Sequence, residues 1–474
     1  MDRKKLFVGG RWIETEKYVP LMAPYSKEVI AEIPEADESH VEAAIESARG
    51  ASAEMAEMPA HQRSAILGRL VSLLEQRAEE AARIIALEAA KPVTTAKGEV
   101  ARAIQTYRFS AEEAKRIAGE TVPMDAAPGG ENRIAYTVRE PLGVIGAITP
   151  FNFPLNLVAH KVGPALASGN AVVLKPARQT PLSAFFIAEL LEEAGLPPGA
   201  LNVVTGPGSM VGNRIVTDPR ISMITFTGSP EVGMDIRARA GLKRVTLELG
   251  SNSAVIVDED ADLRKAIPRC VMGAFSYQGQ ICVSVQRIYV HEAIYDKFVE
   301  EFVVAAQKLR LGDPLDPATD VSALISDNDL KRCLEWIEEA RAGGAVIATG
   351  GKTQGTVLEP TVILNADPSM RVSCREVFGP VVTIDKVGSV EEAIERTNDS
   401  RYGLQAGFYT GSVDRALLAA KRLRVGGVMI NDIPTFRVDH MPYGGVKESG
   451  MGREGVKYAV EEMTELKLVV WNAN

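Results

Sequence analysis

The stretch "VIGAITPFNFPLNLVAHKVGPALASGNAVVLKP", residues 144–176, decides the fold. An apolar run from Val144 gives way after Pro154 to a helical stretch, Gly169-Asn170 turns the chain, and a second β-branched run ends at Lys175 before another helix that closes at Gly195. Two short apolar runs bridged by a helix read as parallel strands with a crossover. The rhythm continues through "LNVVTG" (201–206), "SMITFTG" (222–228), a helix after Pro230 and "RVTLELG" (244–250), which makes this region a doubly wound α/β sheet. Ligands of such sheets bind beyond the carboxyl ends of the strands.

Outward from this core, residues from about Ser39 to Glu120 are rich in Ala, Glu, Arg and Leu at helical spacing, and predict long amphipathic helices. A Pro- and Gly-dense loop follows, then a half-exposed strand in which Ile134, Tyr136 and Val138 alternate with polar partners. A second α/β stretch runs from about Ser251 to Val446, and the tail "TELKLVVWNAN" forms a strand with two differently loaded faces. At 474 residues the chain exceeds what one core supports, so two or three domains are expected. Its net charge of −9 is spread without a basic stripe, which argues against nucleic acid as a partner. No run of about 20 apolar residues occurs and the start does not resemble a signal peptide, so a cytoplasmic protein is expected. Cys270, Cys282, Cys333 and Cys374 show neither paired nor zinc-like spacing, so no metal site is expected and cysteine chemistry would use one thiol.

Five features could carry chemistry. Cys282, in "FSYQGQICVSVQRIYV" (275–290), stands between a flexible, polar Gly279-Gln280 approach and a strand-like run; alone, it reads more readily as a small buried hydrophobe. Gly206, Gly208 and Gly212 after one strand, and Gly228-Ser229 before a helix, suit either a phosphate or plain turns; Val211 stands where a dinucleotide fingerprint has its third glycine. Lys175 ends a strand within reach of a cofactor hydroxyl or phosphate. Asn152, between two aromatics and two prolines, either donates to an oxyanion or caps a helix. Glu248 is either solvated or poised as a general base.

Taken together, "PFNFP", "LKPA", "FTGS", "LELGS", "GQICVS", "EVFGP" (376–380) and "MPYGGVKESGMGREG" (441–455) resemble the aldehyde dehydrogenase superfamily, in its order and spacings, nearly end to end. The closest branch oxidises lactaldehyde, semialdehydes, or glyceraldehyde 3-phosphate without phosphorylation. The resemblance implies an NAD or NADP domain (1–121 and 141–247), a catalytic domain (248–447) and a small β oligomerisation element (122–140 and 448–474) of a homodimer or homotetramer. It makes Cys282 the nucleophile, Asn152 and the Cys282 amide the oxyanion donors, and Glu248 the base that activates water to hydrolyse a thioester. Glu376 would bind the nicotinamide ribose, Phe378 pack beside the ring, Lys175 contact the adenosine ribose and Ser229 the pyrophosphate. Arg178 stands where NAD-preferring members carry a glutamate, so NADP should be accepted too. Substrate-tunnel segments offer Arg108, His160, Arg437 and His440, which favour a small polar or anionic aldehyde. The alternatives are a coenzyme-A-acylating enzyme, in which a thiol resolves the thioester, and a catalytically silent structural member.

Overall fold

In the computed structural model, which describes residues 2–473, the β-branched runs of residues 144–250 lie side by side in one eight-stranded sheet. Its order is Arg11–Ile13, Leu6–Val8, Leu201–Val203, Ala171–Lys175, Val144–Ile148, Met223–Thr227, Arg244–Glu248 and Gly450–Met451. The five strands from Leu201–Val203 to Arg244–Glu248 run parallel, and antiparallel neighbours flank them. The three central strands are buried at every residue because helices cover both faces. Ile145, Ala147, Val172 and Leu174 pack toward helices Ala60–Gln76, Ala78–Ala89, Val93–Glu113 and Asn156–Ala167. Val144, Ile148, Val173 and Phe226 pack toward helix Glu38–Glu57. Ile148 pairs in register with Lys175 and Thr227 with Glu248, so both candidate residues leave the sheet at its carboxyl edge.

A seven-stranded sheet, largely parallel, carries the second α/β stretch in the order Val346–Thr349, Thr361–Leu364, Val381–Val387, Arg287–His291, Ala254–Val257, Gln405–Tyr409, Gly427–Ile430. The tail strand Thr464–Asn472 pairs antiparallel with Arg133–Pro141, from Thr464↔Pro141 to Asn472↔Arg133. Thr121–Val122 completes this three-stranded sheet, on which Ile134, Leu466, Leu468, Val470 and Trp471 are exposed.

Two expectations around Cys282 are corrected. The strand begins only at Arg287, and Cys282 occupies a turn. The approach is clamped rather than flexible: Tyr277 and Gln278 hold left-handed backbone angles (φ 48° and 55°) while fully buried. Tyr277 Oη donates to Ala89 O, and Gln278 Nε2 to Ala90 O and Ala323 O. Gly279 follows at φ +69°, where a Cβ would stand 2.1 Å from the Gly379 carbonyl, so only glycine fits.

Candidate active site

Cys282 lies among Phe153, Tyr277, Ile281, Val283, Leu404 and Tyr443. Its sulfur is 2.8 Å from the Tyr443 hydroxyl. Burial pushes the thiol up to about 11; the Tyr443 bond and Arg437 pull it down, and Glu376 and Glu248 oppose them. Asn152 Nδ2 donates to Gln280 O at 3.0 Å, which orients the amide and leaves one N–H over. The expected alternative, that Asn152 caps the next helix, is excluded: Glu99 caps it, accepting from the amides of Leu155 and Asn156 at 2.9 and 3.1 Å. Lys91, buried against Glu99, donates to Asn152 O at 2.6 Å and so fixes the backbone of the same residue.

Glu248 ends its strand 3 % exposed, with neither carboxylate oxygen hydrogen-bonded. Burial first, and Glu454 second, raise its carboxyl well above the usual range. Its Oε1 faces Gly444, where a Cβ would be 2.9 Å away. Glu454 is equally buried but accepts from Lys161 at 3.0 Å and from Arg437 at 3.0 Å. Burial works to raise it, yet Lys161, His160 and Arg437 hold it far below the carboxylate range.

The substrate-side candidates divide. Arg437 is buried, bonded to Glu454 and stacked 3.7 Å from the Tyr443 ring centroid. His160 is fully buried, 2.9 Å from Asp439 and 3.1 Å from Arg437, and burial lowers its basicity. Arg108 is not brought to the site: it bonds Glu75 at 2.6 Å on the outer face of helix Val93–Glu113. His440 is exposed against Phe109. Arg102, on the inner face of that helix, grips Asp439 at 2.7 and 3.2 Å and lies 5.8 Å from the Phe153 ring, with its side chain 30 % exposed.

A cleft of about 630 Å³ brings together Lys175, Gly208, Gly212, Gly228 and Ser229 with Phe151 and Gln179. Lys175 is buried with only a 3.4 Å bond to Pro176 O, and burial lowers it to about 8. Ser229 caps helix Pro230–Arg239, whose N-terminus faces the cleft. An underused buried ammonium beside a helix N-terminus and open glycine backbone fits a dinucleotide phosphate. Val211, at the anomalous fingerprint position, fills the space over Gly206. Gly228 is needed for packing, since a Cβ there would stand 2.4 Å from the Phe226 ring. Arg178 is turned away from the cleft onto Glu35, which also pairs with Lys17, because that buried carboxylate needs cations. Glu376 accepts from the Ser251 amide at 2.9 Å and is raised by burial to about 7. Phe378, at φ 50°, meets Phe151 edge-on at 5.7 Å. Cys270 and Cys333 are buried, and Cys374 is partly exposed.

Sequence reasoning missed Tyr443, Lys161, Glu454, Lys91, Glu99, Arg102 and Asp439. Tyr443 and Glu454 lie within the quoted "MPYGGVKESGMGREG"; Glu99, Arg102 and Thr106 share a helix face at spacings of three and four, which is the signal that could have found them.

A thiol, an amide donor, an unpaired buried carboxylate and a glycine-lined cleft are thus what the expected motifs contribute. The chain belongs to the aldehyde dehydrogenase family, whose model matches residues 12–469. It is 48 % identical over 467 residues to a 3-sulfolactaldehyde dehydrogenase of Priestia megaterium, covering 98 % of both chains. A lactaldehyde dehydrogenase of Methanocaldococcus jannaschii is 41 % identical over 469 residues, with 98 % of this chain and 99 % of that one covered. The crystal structure of an NADP-dependent glyceraldehyde-3-phosphate dehydrogenase from Bacillus halodurans C-125, complexed with NADP, superposes at TM-score 0.97, with 39 % identity and both chains fully covered. The protein is thus an NAD(P)-dependent aldehyde dehydrogenase of the branch expected from its motifs. Among the described residues, no helix is long and apolar enough to cross a membrane.

Proposed function

We propose that the chain oxidises a small anionic aldehyde to its carboxylic acid through a thioester on Cys282 that water resolves. The observation that carries this reading is the buried, unbonded carboxylate of Glu248 facing the Tyr443-Gly444 turn. The Cys282 sulfur attacks the aldehyde carbon, and the oxyanion takes hydrogen bonds from the free N–H of Asn152 and the Cys282 amide. NAD(P)+ bound in the cleft would supply a hydride acceptor for the oxidation to the thioester. Glu248 then takes a proton from water, whose oxygen attacks the thioester carbon and expels the Cys282 thiolate. A base in that place favours hydrolysis over transfer to coenzyme A, and the filled catalytic positions argue against a silent member. Lys175 and Ser229 would hold the adenosine ribose and pyrophosphate, with Gly208 and Gly212 giving close approach; Glu376 and Phe378 would hold the nicotinamide end.

Arg102 is the cation that supports an anionic head, since its partly open guanidinium, held on Asp439, lies 5.8 Å from the ring of Phe153, which packs in the Cys282 cluster. A sulfonate, as in the Priestia relative's substrate, suits a fork of donors. Both NAD and NADP are used, because no acid stands at Arg178 to repel a 2′-phosphate. The exposed apolar residues of the three-stranded sheet support a homodimer or homotetramer built on residues 122–140 and 448–474. The two larger sheets support separate cofactor and catalytic domains, with the strand Gly450–Met451, expected in the oligomerisation element, added to the edge of the first sheet. The test is an aldehyde panel with each cofactor: 3-sulfolactaldehyde, lactaldehyde and glyceraldehyde 3-phosphate should outrun octanal and benzaldehyde, and Arg102→Ala should raise KM for the anionic substrates at least about tenfold. A preference for the apolar aldehydes, or an unchanged KM, contradicts the substrate reading. A more than thousandfold rejection of NADP, about 4 kcal/mol, contradicts the cofactor reading.

A further inference from the structure

Two contacts have no task in this chemistry: the Tyr443 hydroxyl on the Cys282 sulfur, and the Arg437 guanidinium on the Tyr443 ring. Neither is a surface accident. Tyr443 is 3 % exposed, and Arg437 is pinned by Glu454 at 3.0 Å with its side chain 7 % exposed. A cation over the face of a phenol withdraws electron density from the ring, and a hydroxyl so polarised is a stronger donor. The 3.7 Å separation places the guanidinium in direct contact with the ring.

We propose that Tyr443, with Arg437 stacked on its ring, is the hydrogen-bond donor that supports the Cys282 thiolate. This rests on Cys282 being the nucleophile. When the S–H bond breaks, the electron pair stays on sulfur and the proton passes to solvent water; the Tyr443 hydroxyl then points its hydrogen at the sulfur. Tyr443 keeps its own proton, because burial and the neighbouring sulfur hold it well above the usual phenol range. The charged groups facing the sulfur from other elements are Glu248, at the end of its strand, and Glu376, in the loop after Arg371–Cys374; both carboxylates oppose a thiolate. Tyr277, the other phenol packed there, gives its hydroxyl to Ala89 O. Behind Arg437 stand Glu454 and Asp439, whose carboxylates keep its charge in place, with His160 bonded to Arg437 and Lys161 to Glu454. Against two carboxylates and burial, the Tyr443 hydroxyl and the Arg437 charge favour the ionised sulfur.

Arg437 is therefore a positioning residue and Tyr443 touches the reacting atom. The test is the rate of Cys282 alkylation by iodoacetamide in the full-length enzyme across pH, read by mass at Cys282, together with the far-ultraviolet thiolate absorbance. Tyr443→Phe keeps the ring and the stack and removes only the hydroxyl. It should move the thiol titration up by about one pH unit, slowing alkylation about tenfold below the midpoint, with melting temperature and NADP binding unchanged. Arg437→Lys keeps the charge, loses the flat stack, and should shift the titration in the same direction by less. An unchanged titration in Tyr443→Phe, or faster alkylation, overturns the proposal, the latter by making the hydroxyl a lock on the thiol. If Arg437→Lys does not fold, the Tyr443→Phe titration decides alone. Cys282→Ser separates the two readings: an inactive serine variant beside an unshifted Tyr443→Phe retires only the tyrosine, whereas an active serine variant retires the nucleophile as well.

Discussion

Glu248 and Glu454 are buried alike, at 3 % and 2 % exposure, within one charged cluster, yet they are opposite acids. Glu454 is bonded to Lys161 and Arg437 and held ionised. Glu248 has no bonded partner and is raised, by burial and by Glu454 itself. Burial is therefore common to both, and the placement of two cations decides which carboxylate is held ionised and which is raised. The same division runs through the site: Lys91, Glu99 and Asp439 are paired and hold geometry, while Glu248 and Asn152 Oδ1 are left unsatisfied beside the thiol.

The comparison breaks most severely if the partnered acid is removed. Glu454→Gln leaves Lys161 and Arg437 buried without their anion, and should cost about 3–5 kcal/mol of stability in denaturant unfolding. It also removes a negative charge that raises Glu248, so the Glu248 carboxyl should ionise at lower pH. The acid limb of kcat should then move down in pH; a limb that stays or moves up contradicts the coupling. Lys91→Met sharpens the scaffolding side of the comparison. It strands the buried Glu99 carboxylate and frees the Asn152 carbonyl, so a loss of about 2–4 kcal/mol is expected in denaturant unfolding, softened by the two helix amides that still bond Glu99. The oxyanion donor should loosen with it and lower kcat/KM. Arg108→Ala is the smallest change: an exposed pair with Glu75 is worth less than about 1 kcal/mol, and KM for every aldehyde should stay as it was.

Much of this was legible in the chain. Fully buried parallel strands read as unbroken β-branched runs, so the five parallel strands of the first sheet could be drawn from residues 144–250 alone, whereas its antiparallel flanking strands, from both ends of the chain, could not. Cys282, Glu248 and Asn152 sit in short local motifs. What could not be read were pairings across the chain: Lys161 finds its acid 293 residues away and Arg102 finds Asp439 337 residues away. The misreading of Arg108 has a plain cause. It stands six residues beyond Arg102, about 240° around the helix, so the two point about 120° apart, toward different neighbours. The Arg178 pairing with Glu35 could not be read because Glu35 lies on a distant segment, and Gly279 was misread because a glycine forced by close approach and one that confers mobility look alike in a sequence.

The central claim is that Glu248 serves the step in which water resolves a thioester on Cys282. Its most direct test is rapid-quench kinetics of Glu248→Gln with the best aldehyde and cofactor, followed by intact mass. The account predicts a burst of reduced cofactor of about one equivalent per active site, an acyl adduct on the peptide containing Cys282, and steady turnover lowered about 10²–10⁴-fold. Unchanged turnover, or a stall with neither burst nor adduct, would contradict it.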